Sequence, residues 1–133
     1  MREILFKGKR ADNGEWIFGY YVHLQIGRCG EEEHLIQTLE SDGRMGILHR
    51  VIPETVGQYT GLKDKNGNRI FEGDILELCM DGKVVIEFDE GIFGAHFEEY
   101  GLLPLRRSLF GEGGIIIGNI HDNPELLEVE HAR

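Results

Sequence analysis

Cysteine and proline are scarce in this 133-residue chain, positive charge is in short supply, and no apolar run is long. The two cysteines, Cys29 and Cys79, stand far apart in different local contexts, a count that suits free thiols in a reducing compartment better than a disulfide scaffold. No stretch approaches the length of a membrane-spanning helix, and the opening "MREILFKGKR" is too short in apolar residues for a signal peptide. A cytoplasmic protein without a membrane partner is expected. Fourteen Lys and Arg stand against 24 Asp and Glu, a net charge of -10. Such a surface repels a phosphate backbone, so nucleic acid is not an expected partner. A local basic patch can override that field, and Arg106-Arg107 with Lys83 is the candidate.

Recognisable catalytic and metal motifs are missing too. The six histidines and two cysteines form no HExxH, CxxC or His-x-His, and Cys29, His34 and the run Glu31 to Glu33 show no paired ligand spacing. No metal or other cofactor is expected. "GEGG" at Gly111 to Gly114 lacks the Lys-Ser/Thr of a phosphate-binding loop and reads as a turn. Glu31 to Glu33 and Glu98-Glu99 read as solvated faces rather than an acid–base pair. The expectation is a protein that is not an enzyme.

What the chain has instead is glycine, 19 residues of it, placed between short β-rich runs. Asn13-Gly14 divides Ile4 to Phe6 from Trp16 to Val22, a hairpin signal because both turn residues tolerate positive φ. By period two, Trp16, Phe18, Tyr20 and Val22 share one face of that second strand, and Ile17 and Tyr21 the other. Glu31 to Ser41 fits a strand or a short helix. The strand is preferred, because Gly30 precedes it and Ser41-Asp42-Gly43 follows as a turn. Ile47 to Ile52 reads as a strand stopped by Pro53.

"GQYTGLKDKNGNRIFEGDILEL", from Gly57 to Leu78, is a turn-rich lead-in to a strand from Ile75 to Met80. Gly73 is expected to take a backbone angle closed to other residues, and Asp74 to bind neighbouring backbone N–H groups and fix the corner. Tyr59, Asp64, Asn66, Gly67, Gly73 and Asp74 have turn or packing roles, with a ligand site as the competing reading. In the next hairpin, a loop of Asp81-Gly82-Lys83 pairs Met80 with Val84, Leu78 with Ile86 and Leu76 with Phe88. That register puts all six on one face. Ile92 to Phe97 and Ile115 to Ile120 read as further strands. His121 to Leu127 starts a short helix capped by Asp122 or Asn123, with Pro124 in its first turn.

Three blocks, "REILFKGKRADNGEWIFGYYV", "PETVGQYTGLKDKNGNRIFEGDILEL" and "IIGNIHDNPELL", resemble the YopX family of small proteins encoded by phages and prophages. They span both ends and the middle of the chain, whereas Gly27 to Arg50 and Gly91 to Gly114 match only loosely. The resemblance implies a phage or prophage origin and a mainly β fold, with an SH3-like barrel in the C-terminal half. It implies no activity. The expected architecture is an N-terminal β subdomain over 1–55, involved in oligomer contacts, and an SH3-like barrel with a short C-terminal helix over 56–133.

The function that fits is a non-enzymatic protein-interaction module of the host-cell cytoplasm, a homo-oligomer that also binds a host or phage protein. Its candidate surface is Trp16, Phe18, Tyr20, Tyr59, Arg106 and Arg107. The aromatic residues fit an ordinary core equally well. The alternative is a nucleic-acid-binding regulator using the local basic patch on the barrel. A carboxylate–metal hydrolase is a third reading.

Overall fold

The computed structural model describes residues 3–78, 82–89, 91–97, 101–104 and 114–127. Among these the protein is mainly β, with two antiparallel sheets and a helical turn at 125–127. The chain forms two compact units, Met1–Tyr59 and Thr60–Arg133.

The first unit contains β1 (Phe6–Lys9), β2 (Trp16–Ile26), β3 (Glu31–Leu39) and β4 (Met45–Arg50), and it ends within β5 (Gly57–Lys63). The strand order is β4-β3-β2-β1-β5. The Asn-Gly hairpin forms as expected. Gly14 has φ 73°, and Asn13 Oδ1 accepts from the Glu15 N–H at 2.9 Å. β1 pairs with β2 in the register Phe6 with Gly19 and Lys9 with Trp16. The ambiguous segment 31–41 is a strand along most of its length, because it sits between β2 and β4 and both neighbours satisfy its backbone groups. Ile36 and Val51 are buried, and so is Leu5. The Gly8 Cα lies so close to this cluster that a Cβ there would sit 3.0 Å from Ile36 Cδ1.

The second unit contains β6 (Arg69–Phe71), β7 (Asp74–Leu78), β8 (Gly82–Asp89), β9 (Ile92–Phe97), β10 (Gly101–Pro104) and β11 (Ile115–Asn119). Its five-stranded sheet has the order β10-β9-β8-β7-β11, compatible with the expected SH3-like barrel. Ile70, Leu76, Leu78, Val84, Ile86 and Ala95 form its core, with Leu62, Phe97 and Ile116 packed against them.

The register expected for the β7–β8 hairpin is corrected. Leu76 opposes Val84 and Leu78 opposes Gly82, so Gly82 and Lys83 are paired strand residues rather than loop. The slip is even-numbered, so the faces stay as expected: Leu76, Leu78, Val84 and Ile86 still share one core. Phe88 leaves it. It is 52% exposed and meets Phe93 edge-on across β8 and β9, ring centroids 4.9 Å apart. Met80 lies outside the described residues. Matching parity satisfies burial in either register, so hydrophobic pattern alone does not choose between them. Ile86 is fully buried in this core, and Ile86→Val is expected to cost about 1 kcal/mol in urea unfolding through the small void it leaves.

The turns expected in the Gly57 to Leu78 stretch form, but its first seven residues are strand β5 rather than turn. Gly67 and Gly73 have φ 85° and 87°. The Gly73 N–H donates to Ile86 O at 2.7 Å, and its carbonyl accepts from the Ile120 N–H at 2.9 Å, so the turn is tied on two sides. Asp74 Oδ2 accepts from the Phe71 N–H at 2.8 Å, the corner bond its position calls for. The helical turn starts where expected, with the Asn123 carbonyl accepting from the Leu126 N–H at 3.1 Å and Pro124 in its first turn, but the Asn123 side chain does not cap it. Asn123 Oδ1 reaches back to the Asn119 N–H at 3.3 Å, while Asn119 Oδ1 accepts from the N–H groups of His121 and Asp122.

Candidate functional site

The first unit's sheet has two unlike faces. On one, alternation and register gather Lys7, Lys9, Trp16, Phe18, Tyr20, Val22, Leu24 and Ile26 with their partners on β3 and β4. Seven large apolar side chains there, Phe18, Tyr20, Leu24, Ile26, Leu39, Met45 and Leu48, are each 40–55% exposed. Singly exposed apolar residues are ordinary, but seven on one sheet face mark a contact surface: Phe18, Tyr20, Leu39, Met45 and Leu48 lie toward one end, and Leu24 and Ile26 lie beyond the Val22–Leu35 pair, of which Leu35 is buried. Trp16 closes one end beneath the Lys7 and Lys9 ammonium groups, 4.6 and 5.6 Å from its ring centroid. Toward the other end stand Glu31 and Glu33, with Glu33 ion-paired to Arg50.

Of the residues singled out in the sequence, Phe18 and Tyr20 lie exposed on this face beside half-buried Trp16. Tyr59 does not join them. Only 7% of it is accessible, and its N–H donates to Leu5 O at 2.7 Å, so it belongs to the packed interior. Arg106 and Arg107 lie outside the described residues, as does Cys79. Cys29 is a free, exposed thiol in the β2–β3 turn. Leu24, Ile26, Leu39, Met45 and Leu48 were not marked by the sequence. Their signal is the continuation of the β2 alternation past Val22 and the pairing of β3 with β4.

The opposite face carries a cluster that spacing along the chain does not reveal. His23 opposes His34 across β2 and β3, and Glu32 shares His34's face two residues earlier. The imidazoles stack with centroids 4.3 Å apart. Glu32 Oε2 lies 3.6 Å from His23 Nε2 and 3.7 Å from His34 Nε2. The Tyr21 hydroxyl forms a hydrogen bond with His34 Nδ1. Burial, and then the Glu32 charge, push the Tyr21 phenol above its ordinary pKa and keep it protonated. The readable signal was the symmetric turn: strands folded about Arg28-Cys29, between two glycines, place residue 23 against residue 34.

Other charged groups are engaged in structure. Asp12 binds Arg10 in a two-bonded pair, which lowers the carboxyl pKa first through its hydrogen bond to the guanidinium. This pair flanks an open depression of about 440 Å³, also lined by Leu48, His49 and Arg50. The Asp64 carboxylate accepts three backbone N–H bonds in the second unit. No helix among the described residues is long and apolar enough to cross a membrane.

Among known structures the chain is similar, over nearly its whole length, to a crystal structure of protein EF1440 from Enterococcus faecalis. It has 27% sequence identity and a TM-score of 0.61, and the match covers 96% of this chain and 99% of that one. No curated protein matches the chain. The model of the YopX protein family matches residues 5–128, so its reach extends from the strand-leading segment before β1 to the helical turn after β11. With the hairpins and the Gly57 to Leu78 turn in place across that whole span, the chain belongs to the YopX family.

Proposed function

We propose that this protein is a phage or prophage accessory protein of the host cytoplasm that acts without catalysis, as a β-rich interaction module. It assembles with a second copy of itself through the apolar face of β2, β3 and β4, and in that form engages a host or phage protein. The single observation that carries this reading is the set of seven large side chains on one sheet face, each 40–55% exposed. A second copy fits the face by charge as well. Lys9 lies near one end of β2 and Glu31 near the other, so a two-fold axis lying between the two faces and perpendicular to β2 sets the basic end of each copy against the acidic end of its mate. The remaining surface is acidic overall and discourages indiscriminate association. Asp12, Glu33, Asp64 and Asp74 are occupied with arginines or backbone N–H groups, which supports a structural rather than catalytic use of these carboxylates.

The test is native mass by light scattering. The parent chain is expected to run at twice the chain mass at about 10 μM, within the range of an interface of ordinary size. The doubly substituted Phe18→Glu, Leu24→Glu chain is expected at the single-chain mass with its melting temperature nearly unchanged. A parent chain that stays monomeric to about 100 μM contradicts the proposal, since that dilution limit corresponds to only about −5.5 kcal/mol of association.

A further inference from the structure

We propose that His23, Glu32 and His34 bind one divalent transition-metal ion of the zinc class, with Tyr21 positioning the His34 ring, and that the ion staples β2 to β3. The ligand atoms of these three side chains lie within 4.8 Å of one another. Ligands at about 2.0–2.2 Å from a tetrahedral zinc stand about 3.3 Å apart, close to the two observed nitrogen–oxygen separations of 3.6 and 3.7 Å, and the stacked His23 and His34 rings have to turn out of their near-parallel arrangement to aim both Nε2 lone pairs at one ion. Those separations are also too long for hydrogen bonds. Three groups that offer lone pairs therefore converge without bonding one another. A proton can bridge one such pair, whereas a divalent ion serves all three at once.

The Tyr21 contact supplies the outer support that a metal-binding histidine needs. When His34 Nδ1–H donates to the Tyr21 oxygen, the tautomer is fixed and Nε2, 3.7 Å from Glu32 Oε2, keeps its lone pair free for an ion. Two imidazoles and one carboxylate suit zinc, nickel or copper better than magnesium, which prefers all-oxygen octahedral sites. The exposed sides of His23 and Glu32 leave room for water in the remaining position. Because the ligands come from paired strands of one hairpin, the ion joins residues that the fold already holds in register.

Isothermal titration of the tag-free full chain with zinc chloride tests the site. One ion per chain is expected, with micromolar affinity and no detectable binding of magnesium. His23→Gln and Glu32→Gln, both at half-exposed positions, are each expected to weaken zinc at least 10-fold. Tyr21→Phe is expected to weaken it about 10-fold, in the range found for lost outer-shell partners. Cys29→Ser, in the adjoining turn, is expected to bind like the parent. Four results would each overturn the proposal: no zinc uptake below about 1 mM, a transition far above structural or catalytic zinc affinities; an unchanged affinity in His23→Gln; an unchanged affinity in Tyr21→Phe; or loss of binding in Cys29→Ser, which would assign the ion to the thiol. Circular dichroism of each variant without metal checks that the sheet is intact. A variant that loses the sheet is replaced by His34→Gln, read by the same 10-fold criterion.

Discussion

Gly19→Ala is expected to destabilise the protein by about 3 kcal/mol and to lower its melting temperature by about 10 °C. Gly19 stands in β2 between Phe6 of β1 and Thr38 of β3. A Cβ added there would lie 1.9 Å from Gln37 O and 2.8 Å from Gln37 C. Those atoms are backbone, so no side-chain rotation relieves the overlap, and β2 and β3 have to separate locally. The β3–β4 ladder explains the close approach. Its register shifts between Gln37 and Leu39, so Gly46 and Ile47 together oppose the single residue Thr38. A Cβ at Gly46 would in turn meet Thr38 Oγ1 at 2.4 Å. Thr38 is thus flanked by a glycine on each neighbouring strand, and the irregularity fits only because both lack side chains. Gly8→Ala is the control. Its new methyl group meets the movable tip of Ile36 at 3.0 Å, and its loss in urea unfolding is expected to be less than half that of Gly19→Ala. Equal melting of Gly19→Ala and the parent chain would contradict the account.

The same pair of glycines shows what the sequence could and could not reveal. Gly14, Gly67 and Gly73 were readable because each sits beside Asn, Asp or a polar cluster, the local chemistry of a turn, and each adopts positive φ. Gly19 and Gly46 serve a contact between strands, and nothing adjacent in the chain marks that contact. The β7–β8 hairpin makes the point differently. Alternation settled which residues face the core, since Leu76 and Val84 meet there. It left the pairing free to move by an even number of residues, and the pairing moved, with Phe88 out of the core as a result. The interaction face was half legible. Phe18 and Tyr20 announce themselves as aromatic residues in alternation, whereas Met45 and Leu48 join them only once β4 is placed beside β3. The His23, Glu32 and His34 cluster was the least visible, because its residues meet across a hairpin rather than at a ligand spacing along the chain. Tyr59 carried two readings, packing and interaction surface, and its burial agrees with the packing role and takes it out of the surface set.

Asp64→Ala is expected to have the largest effect of any single substitution at a polar position, about 4 kcal/mol in urea unfolding at pH 7. Asp64 is buried, and its two oxygens serve three donors. Oδ1 accepts from the N–H groups of Asn66 and Asn68 at 2.9 and 2.8 Å, and Oδ2 accepts from Ile116 at 3.1 Å. The first two bonds shape the turn between β5 and β6. The third crosses 52 residues of sequence to hold β11, beside the Lys65 N–H to Gly114 O bond at 2.9 Å. Truncation leaves these N–H groups without the charged acceptor, and bonds to a charged group contribute about 1.5–3 kcal/mol each, though not additively. Burial by itself would raise the carboxyl pKa, but the N–H bonds from Ile116, Asn68 and Asn66 outweigh it and hold the group below its ordinary value. The sign of the pH effect follows. In the acid range the unfolded chain, with Asp near its usual value of about 3.9, binds the proton before the folded chain does. The contribution is therefore complete above that value and is lost as pH falls through the lower folded-state pKa. The stability gap between parent and Asp64→Ala is expected to be constant from pH 7 to about pH 5 and to narrow below about pH 4. Asp64→Asn restores the shape but turns one N–H₂ toward a backbone donor, so it is expected to recover less than half the loss. A gap under about 1 kcal/mol at pH 7, less than a single such bond contributes, would show that the carboxylate does not join this turn to β11.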